Sequence, residues 1–245
     1  MTVPMPEAGR LHEELREATS RLLGDTIALS DQDWHAPSRL PGWTRAHVAT
    51  HLARQADAVA RLVTGALEGR PGRMYASEDA REAEIAEGAD RDGQQLQTDL
   101  DTSATALDAL FARTEEARAW DEPVTLRDGS PATVAVLPRA RLAEVVLHHV
   151  DLDTGFDLAD LPSGTARVLL TAAAHRMAPR FELPVHLQVD DGPQDDDPLV
   201  LALGPGRATD EPVEVHGTTV VLLGWLTTRG SEVPAGAAGL DVPPY

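Results

Sequence analysis

The chain has 245 residues, with 21 basic and 40 acidic side chains for a formal charge of −19; every one of the basic residues is arginine, and lysine and cysteine are absent. These counts exclude a disulfide framework, a cysteine nucleophile, a zinc–thiolate finger, a Schiff-base lysine and a phosphate loop of the usual GK[ST] form. So negative a chain repels phosphate backbones and no basic stretch offsets this, so nucleic acid is not an expected partner.

At 42% hydrophobic and 25% charged residues the chain has enough apolar material for a core. Its start, MTVPMPEAGRLHEEL, has no basic stretch followed by an apolar run. No apolar stretch approaches the roughly 20 residues needed to span a bilayer. The expectation is a cytoplasmic protein with no membrane partner.

Taken in chain order, Leu11, Leu15, Ala18 and Leu22 form one stripe of an amphipathic helix. A loop is predicted over Ser30–Gly42. Thr44 is placed to cap a long helix running to about Leu67, with Val48, Leu52, Val59, Leu62 and Val63 as its apolar stripe. Ser77, followed by Glu78 and Asp79, opens a short charged helix to about Glu87. Leu96, Leu100, Leu107, Leu110 and Phe111 mark another long helix. Asp128-Gly129 is a turn signal inside VTLRDGSPATV, which predicts a small hairpin. From Pro138 to about Asp153 the pattern is a helix apolar on most sides, hence mostly buried.

The character changes near Phe156. A helix over about Ser163–Pro179 precedes three strand-like runs, VHLQVD, PLVLALG and EPVEVHG, and a last helix spans about Thr218–Thr228. Two domains are therefore expected, residues 1–156 helical and 157–245 of mixed α and β. The acidic run at 190–198 reads as a solvated loop without EF-hand spacing.

The residues with most chemical content are Glu144 and His148. Four apart on a helix, their side chains lie about 40° apart on one face. Such a pair can grip one divalent cation from the same side. His51, on the core-facing stripe of the Thr44 helix, is a third candidate ligand if the two helices pack together. Two imidazoles and one carboxylate leave coordination positions open, the ligand count of a catalytic site. Spacing alone leaves alternatives. Glu144 could pair internally with Arg141, one turn earlier, and a histidine on an apolar face can be a hydrogen-bonded core residue. His47 competes with His51, and His149 points about 100° away from His148. Asp151 could hold a ring N–H of a ligating histidine.

GWTRAHVATHLA (42–53) resembles the DinB-like metalloprotein superfamily, a four-helix bundle holding a divalent metal. With EVVLHHVDL (144–152), RMYASEDAREAEIAEGA (73–89) and TRGSE (228–232), the chain is similar along nearly its whole length to the mycothiol-dependent maleylpyruvate isomerase family. Many DinB-like proteins carry His-x3-His where this chain has Glu144-x3-His148. The resemblance implies an N-terminal DinB-like bundle followed by a smaller α/β domain like a sterol carrier protein. It implies zinc, or another divalent metal, on His51, Glu144 and His148. It matches Arg229 to an arginine that reaches the active site and Arg81 to an anion-binding arginine of the Met-Tyr segment. Residue chemistry alone offers plainer roles: Arg229 as a cation at a helix C-terminus, and Arg81 in a salt bridge with Glu78 or Glu84.

The implied reaction turns the cis double bond of maleylpyruvate trans, giving fumarylpyruvate in gentisate breakdown, an aromatic catabolic route. A thiolate adds to the conjugated carbon, the resulting enolate rotates about a single bond, and the thiolate leaves. The chain has no cysteine, so the thiol must be borrowed, and the resemblance names mycothiol. The partners expected are thus a small anionic substrate and a low-molecular-weight thiol. The nearest alternative is a mycothiol-dependent S-transferase acting on other electrophiles, in detoxification or secondary metabolism. A metal-binding regulatory module and a lipid carrier are further readings.

Overall fold

The computed structural model describes residues 5–70, 72–192, 199–205 and 211–245. It divides into two compact units, Met1–Phe156 and Asp157–Tyr245.

The first unit is helical. Its long helices are α1 (Met5–Thr26), α3 (Arg45–Leu67), α5 (Gly93–Ala117) and α6 (Leu137–Asp151), with two short helices, α2 (Asp31–Trp34) and α4 (Glu78–Gly88). The long helices pack in a ring, α1 against α5 and α6, and α3 against the same two. Leu11, Leu15 and Leu22 of α1 are buried, and so are Val48, Leu52, Val59, Leu62 and Val63 of α3. Leu96, Leu100, Leu107 and Phe111 of α5 and Leu142, Val145, Val146 and Val150 of α6 complete the core. Removing any one of these leucines would cost about 2–5 kcal/mol.

Local chemistry sets the ends of these helices. Thr44 caps α3 by accepting from the His47 N–H, and His47 returns its ring to the Thr44 backbone N–H. Asp92 caps α5 in the same reciprocal way with Gln95, and Ser77 caps α4 by accepting from the Ala80 N–H. The predicted Ser30–Gly42 loop contains α2, a single turn held by a Ser30–Asp33 capping box that buries Trp34. Four residues are too few to show a period, which is why sequence reading passes over it.

The hairpin forms from β1 (Pro123–Thr125) and β2 (Pro131–Thr133), with Val124 opposite Ala132. Gly129 supplies the positive φ of +83° that its turn requires. A short 3-10 turn, Val134–Val136, then leads into α6.

The second unit is a small α/β layer. Strand β3 (Val185–Val189) lies centrally, antiparallel to β4 (Val200–Leu203) and parallel to β5 (Val213–Gly217). On β3, Val185, Leu187 and Val189 are buried while His186 and Gln188 are partly exposed, the alternation of a one-sided sheet. Helices α7 (Ser163–Met177) and α8 (Thr219–Thr227) pack on each other and on the strands. α8 is apolar around its whole circumference and is accordingly buried. Asp191 accepts from the Thr219 N–H and hydroxyl at 2.7 and 2.8 Å, fixing the start of α8. Residues 193–198, the rest of the acidic run, lie outside the described residues. No described helix is long and apolar enough to cross a membrane.

Candidate metal centre

Helix α3 and the loop before it are tied to α6 along its length. The Arg39 N–H donates to the Asp151 carbonyl at 2.8 Å, and Arg45 Nε donates to the Leu152 carbonyl at 2.5 Å. Arg141 reaches from α6 to the Leu52 carbonyl and Gln55 Oε1 at 2.9 and 2.6 Å. These bonds fix the height of one helix against the other.

That register brings His51, Glu144 and His148 together, with one ligand atom from each within 4.8 Å of the others. His51 Nε2 lies 3.1 Å, and His148 Nε2 3.4 Å, from the same carboxylate oxygen, Glu144 Oε2. The two imidazole rings meet edge to face at 4.6 Å. His51 is only 6% exposed, but the Glu144 side chain keeps 28% of its surface, so an ion has a way in.

The surrounding groups set the protons. His148 Nδ1–H donates to Asp151 Oδ2 at 2.8 Å, and Asp151 is itself buried. This directs the Nε2 lone pair of a neutral His148 toward the shared carboxylate. Burial presses the His148 pKa down, but the bonds to Asp151 and Glu144 outweigh it and the pKa is raised. Burial alone would raise Glu144. Its bonds from His148 and His51 reverse that and hold it well below the usual carboxylate range. Burial dominates at His51, whose pKa is lowered.

Arg81 Nη2 lies 3.1 Å from His51 Nδ1. A guanidinium only donates, so Nδ1 accepts and the ring proton of neutral His51 sits on Nε2, toward Glu144. Arg81 also bonds the Tyr75 hydroxyl and stands 5.8 Å from that ring. The salt bridge that sequence spacing offers it with Glu78 does not form. Glu78 is paired to Arg127 on the hairpin through both of its oxygens. Tyr75 escapes sequence analysis as a site residue because it lies in a loop with no periodicity. Its signal is the Met-Tyr pair shortly before Arg81.

The competing histidines are engaged elsewhere. His47 Nδ1 takes part in the α3 capping box. His149 turns toward α1, with Nε2 3.1 Å from Asp25 and its ring stacked on Phe156 at 4.1 Å. Arg141 does not pair with Glu144, so that internal explanation of the buried carboxylate fails. Arg229 belongs to the second unit, where Nη1 donates to the Thr227 carbonyl at 2.8 Å beyond the end of α8. Two surface cavities, of 460 Å³ beside Arg61 and Gly72 and of 890 Å³ along α1 and α5, include none of the three grouped residues.

Residues 15–153 match the family described as mycothiol maleylpyruvate isomerase N-terminal domain. The chain belongs to that family. Two solved structures align with 100% of this chain and 99% of their own. One is a crystal structure of the mycothiol-dependent maleylpyruvate isomerase, 24% identical at a TM-score of 0.83. The other is of its histidine-to-alanine mutant, 23% identical at a TM-score of 0.85. A comparison with curated proteins gives no match. These two structures share the chain's arrangement of a helical first unit and a small α/β second unit.

Proposed function

We propose that the chain is a zinc- and mycothiol-dependent cis–trans isomerase that converts maleylpyruvate to fumarylpyruvate. The observation that carries this reading is the convergence of His51, Glu144 and His148 within 4.8 Å, inside the domain that the isomerase family model matches.

The donor set fits a divalent ion. Two imidazole nitrogens and one carboxylate oxygen already face one point, His148 is oriented by Asp151, and Glu144 is held ionised. His51 needs one change: with Nε2 given to a metal, its proton moves to Nδ1 and Arg81 must turn away. When bound, the metal and a thiol from outside the chain would supply a thiolate whose reversible addition lets the cis double bond rotate.

The protein's own residues do the rest. Released from His51, Arg81 presents a planar fork to a substrate carboxylate or to the charge developing on the keto oxygen, with Tyr75 beside it. The family resemblance alone proposes Arg229 for the same anion-handling role. Neither arginine can be replaced by a neighbouring lysine, because there is none.

The test is an assay on maleylpyruvate with mycothiol, before and after chelation, for the wild type and His51→Ala. The expected outcome is loss of both bound zinc and activity in the variant, by a factor of at least about 10². Metal-free turnover would overturn the zinc reading. A stable thiol conjugate in place of regenerated free thiol would indicate S-transfer.

A further inference from the structure

Arg141 is used by no step above. It is 3% exposed, and its hydrogen bonds, both from Nη1, go to the neutral acceptors Leu52 O and Gln55 Oε1. Among the described residues no carboxylate forms an ion pair with it, and Glu144 is the foremost opposing charge acting on it, ahead of Tyr75 and Asp57. A buried guanidinium without a counter-ion is costly to fold around. Burial pushes its pKa down to about 10, which still leaves it a cation at neutral pH.

Its position is fixed. Arg141 stands three residues before Glu144, about 4.5 Å along the helix axis. Its acceptors belong to the turn of α3 that carries His51, Leu52 next to it and Gln55 one turn on. Arg141 also lines the 890 Å³ cavity along α1 and α5, and its two bonds hold the guanidinium against the stretch of α3 that follows His51.

We propose that Arg141 is an electrostatic positioning residue of this site: an unneutralised buried cation that strengthens the binding of an anionic substrate and weakens that of the divalent metal. This rests on the isomerase reading for the substrate's charge. A protein with a formal charge of −19 needs such a source of local positive potential if it is to hold a dianion. Arg127 is neutralised by Glu78, whereas Arg141, like Arg81, loses none of its charge to a carboxylate partner, and Arg141 alone of the three is fully buried.

The test uses the full chain, metal-stripped and zinc-loaded, in three variants: Arg141→Met, Arg141→Gln and Arg141→Lys. Maleate, a dicarboxylate that needs no thiol to bind, is titrated calorimetrically, and zinc affinity is measured by competition with a chelator. In the Met and Gln variants maleate should bind about tenfold more weakly in both metal states, while zinc binds about tenfold more tightly. Lys should stay within about threefold of wild type, since it restores the charge without the fork. A merely structural role would weaken zinc and maleate together, and that result overturns the proposal. Unchanged maleate affinity in the neutral variants, or a wild type that binds no maleate in either state, does so as well. If the Met variant does not fold, Gln, which can keep the bond to Leu52, carries the same test. A wild type that takes no zinc defeats the metal reading alone, because the metal-stripped maleate titration still decides the role of Arg141.

Discussion

His51 and His148 reach one carboxylate oxygen under different proton demands. His148 is pushed toward its cation by Asp151 and Glu144, while burial keeps His51 neutral. Metal binding must expel the His148 proton, so apparent zinc affinity should fall about tenfold per pH unit below the raised His148 pKa. Stability of the metal-free chain runs the other way at that residue. A raised folded-state pKa gives stability that is complete below the ordinary value of 6.5 and is lost as pH rises through the raised one. The depressed Glu144 pKa gives stability present above its ordinary 4.5 and lost as pH falls further. His51, whose pKa is lowered, offsets the His148 gain below 6.5, so melts in chelator should drop chiefly as pH falls below 4.5, and added zinc should raise the melting temperature most at the alkaline end. Metal-free melts that hold steady as pH falls below 4.5 would contradict this proton arrangement. The Glu144–His148 pairing is visible in sequence because spacing on one helix fixes it. The Arg81–His51 contact is not, because it joins α4 to α3, and the near neighbours Glu78 and Glu84 look like sufficient partners.

At the level of elements, α4 carries Arg81 and is held to α3 at a close approach. A Cβ added to Gly88 would collide with Thr50 Cγ2 and come within 3.1 Å of Arg91 Nη2. Gly88→Ala should thus cost about 1–3 kcal/mol in urea unfolding and weaken anion binding by shifting Arg81, while zinc affinity holds. An unchanged melt would show that α4 adjusts freely. The long helices and the hairpin are legible in the sequence because each has a periodic apolar stripe, a cap or a turn pair. The limits lie in short pieces. Turn α2 has too few residues for a period, and β1 and β2 shrink to three residues each beside their turn. Three strands are readable from alternation, but the order β4-β3-β5, with its parallel pair, is a product of packing against α7 and α8 and leaves no local mark.

For the whole molecule, the acidic excess acts over distances the site arginines do not reach. At 0.01 M salt, where the Debye length is about 30 Å, an approaching dianion senses the net charge, whereas at 0.1 M that charge is screened beyond about 10 Å and the groups nearest the site dominate. With maleylpyruvate, kcat/KM should therefore rise several-fold as salt is raised from low to physiological levels, in contrast to an electrostatically steered enzyme. A fall with salt would mean that the positive potential of the site extends past the negative surface. Composition makes the acidic excess plain, but it gives no location for the compensating cations. Only the fold gathers Arg81, Arg127 and Arg141 around Tyr75 and Glu144.

Trp43 packs edge-on against His51 at 5.7 Å and also contacts His47. The other three tryptophans, Trp34, Trp120 and Trp225, are at most 8% exposed, and among the described ring contacts none of them meets a grouped histidine. The first unit therefore contains its own optical reporter. Protonated imidazole quenches indole emission, and relocating the His51 proton or turning Arg81 alters the field at the ring. Zinc titration should change the emission of Trp43 in step with occupancy, and Trp43→Phe should abolish the change while leaving the chelator-measured affinity within about threefold. Loading of the site would then be readable in real time, with neither a dye nor a substrate.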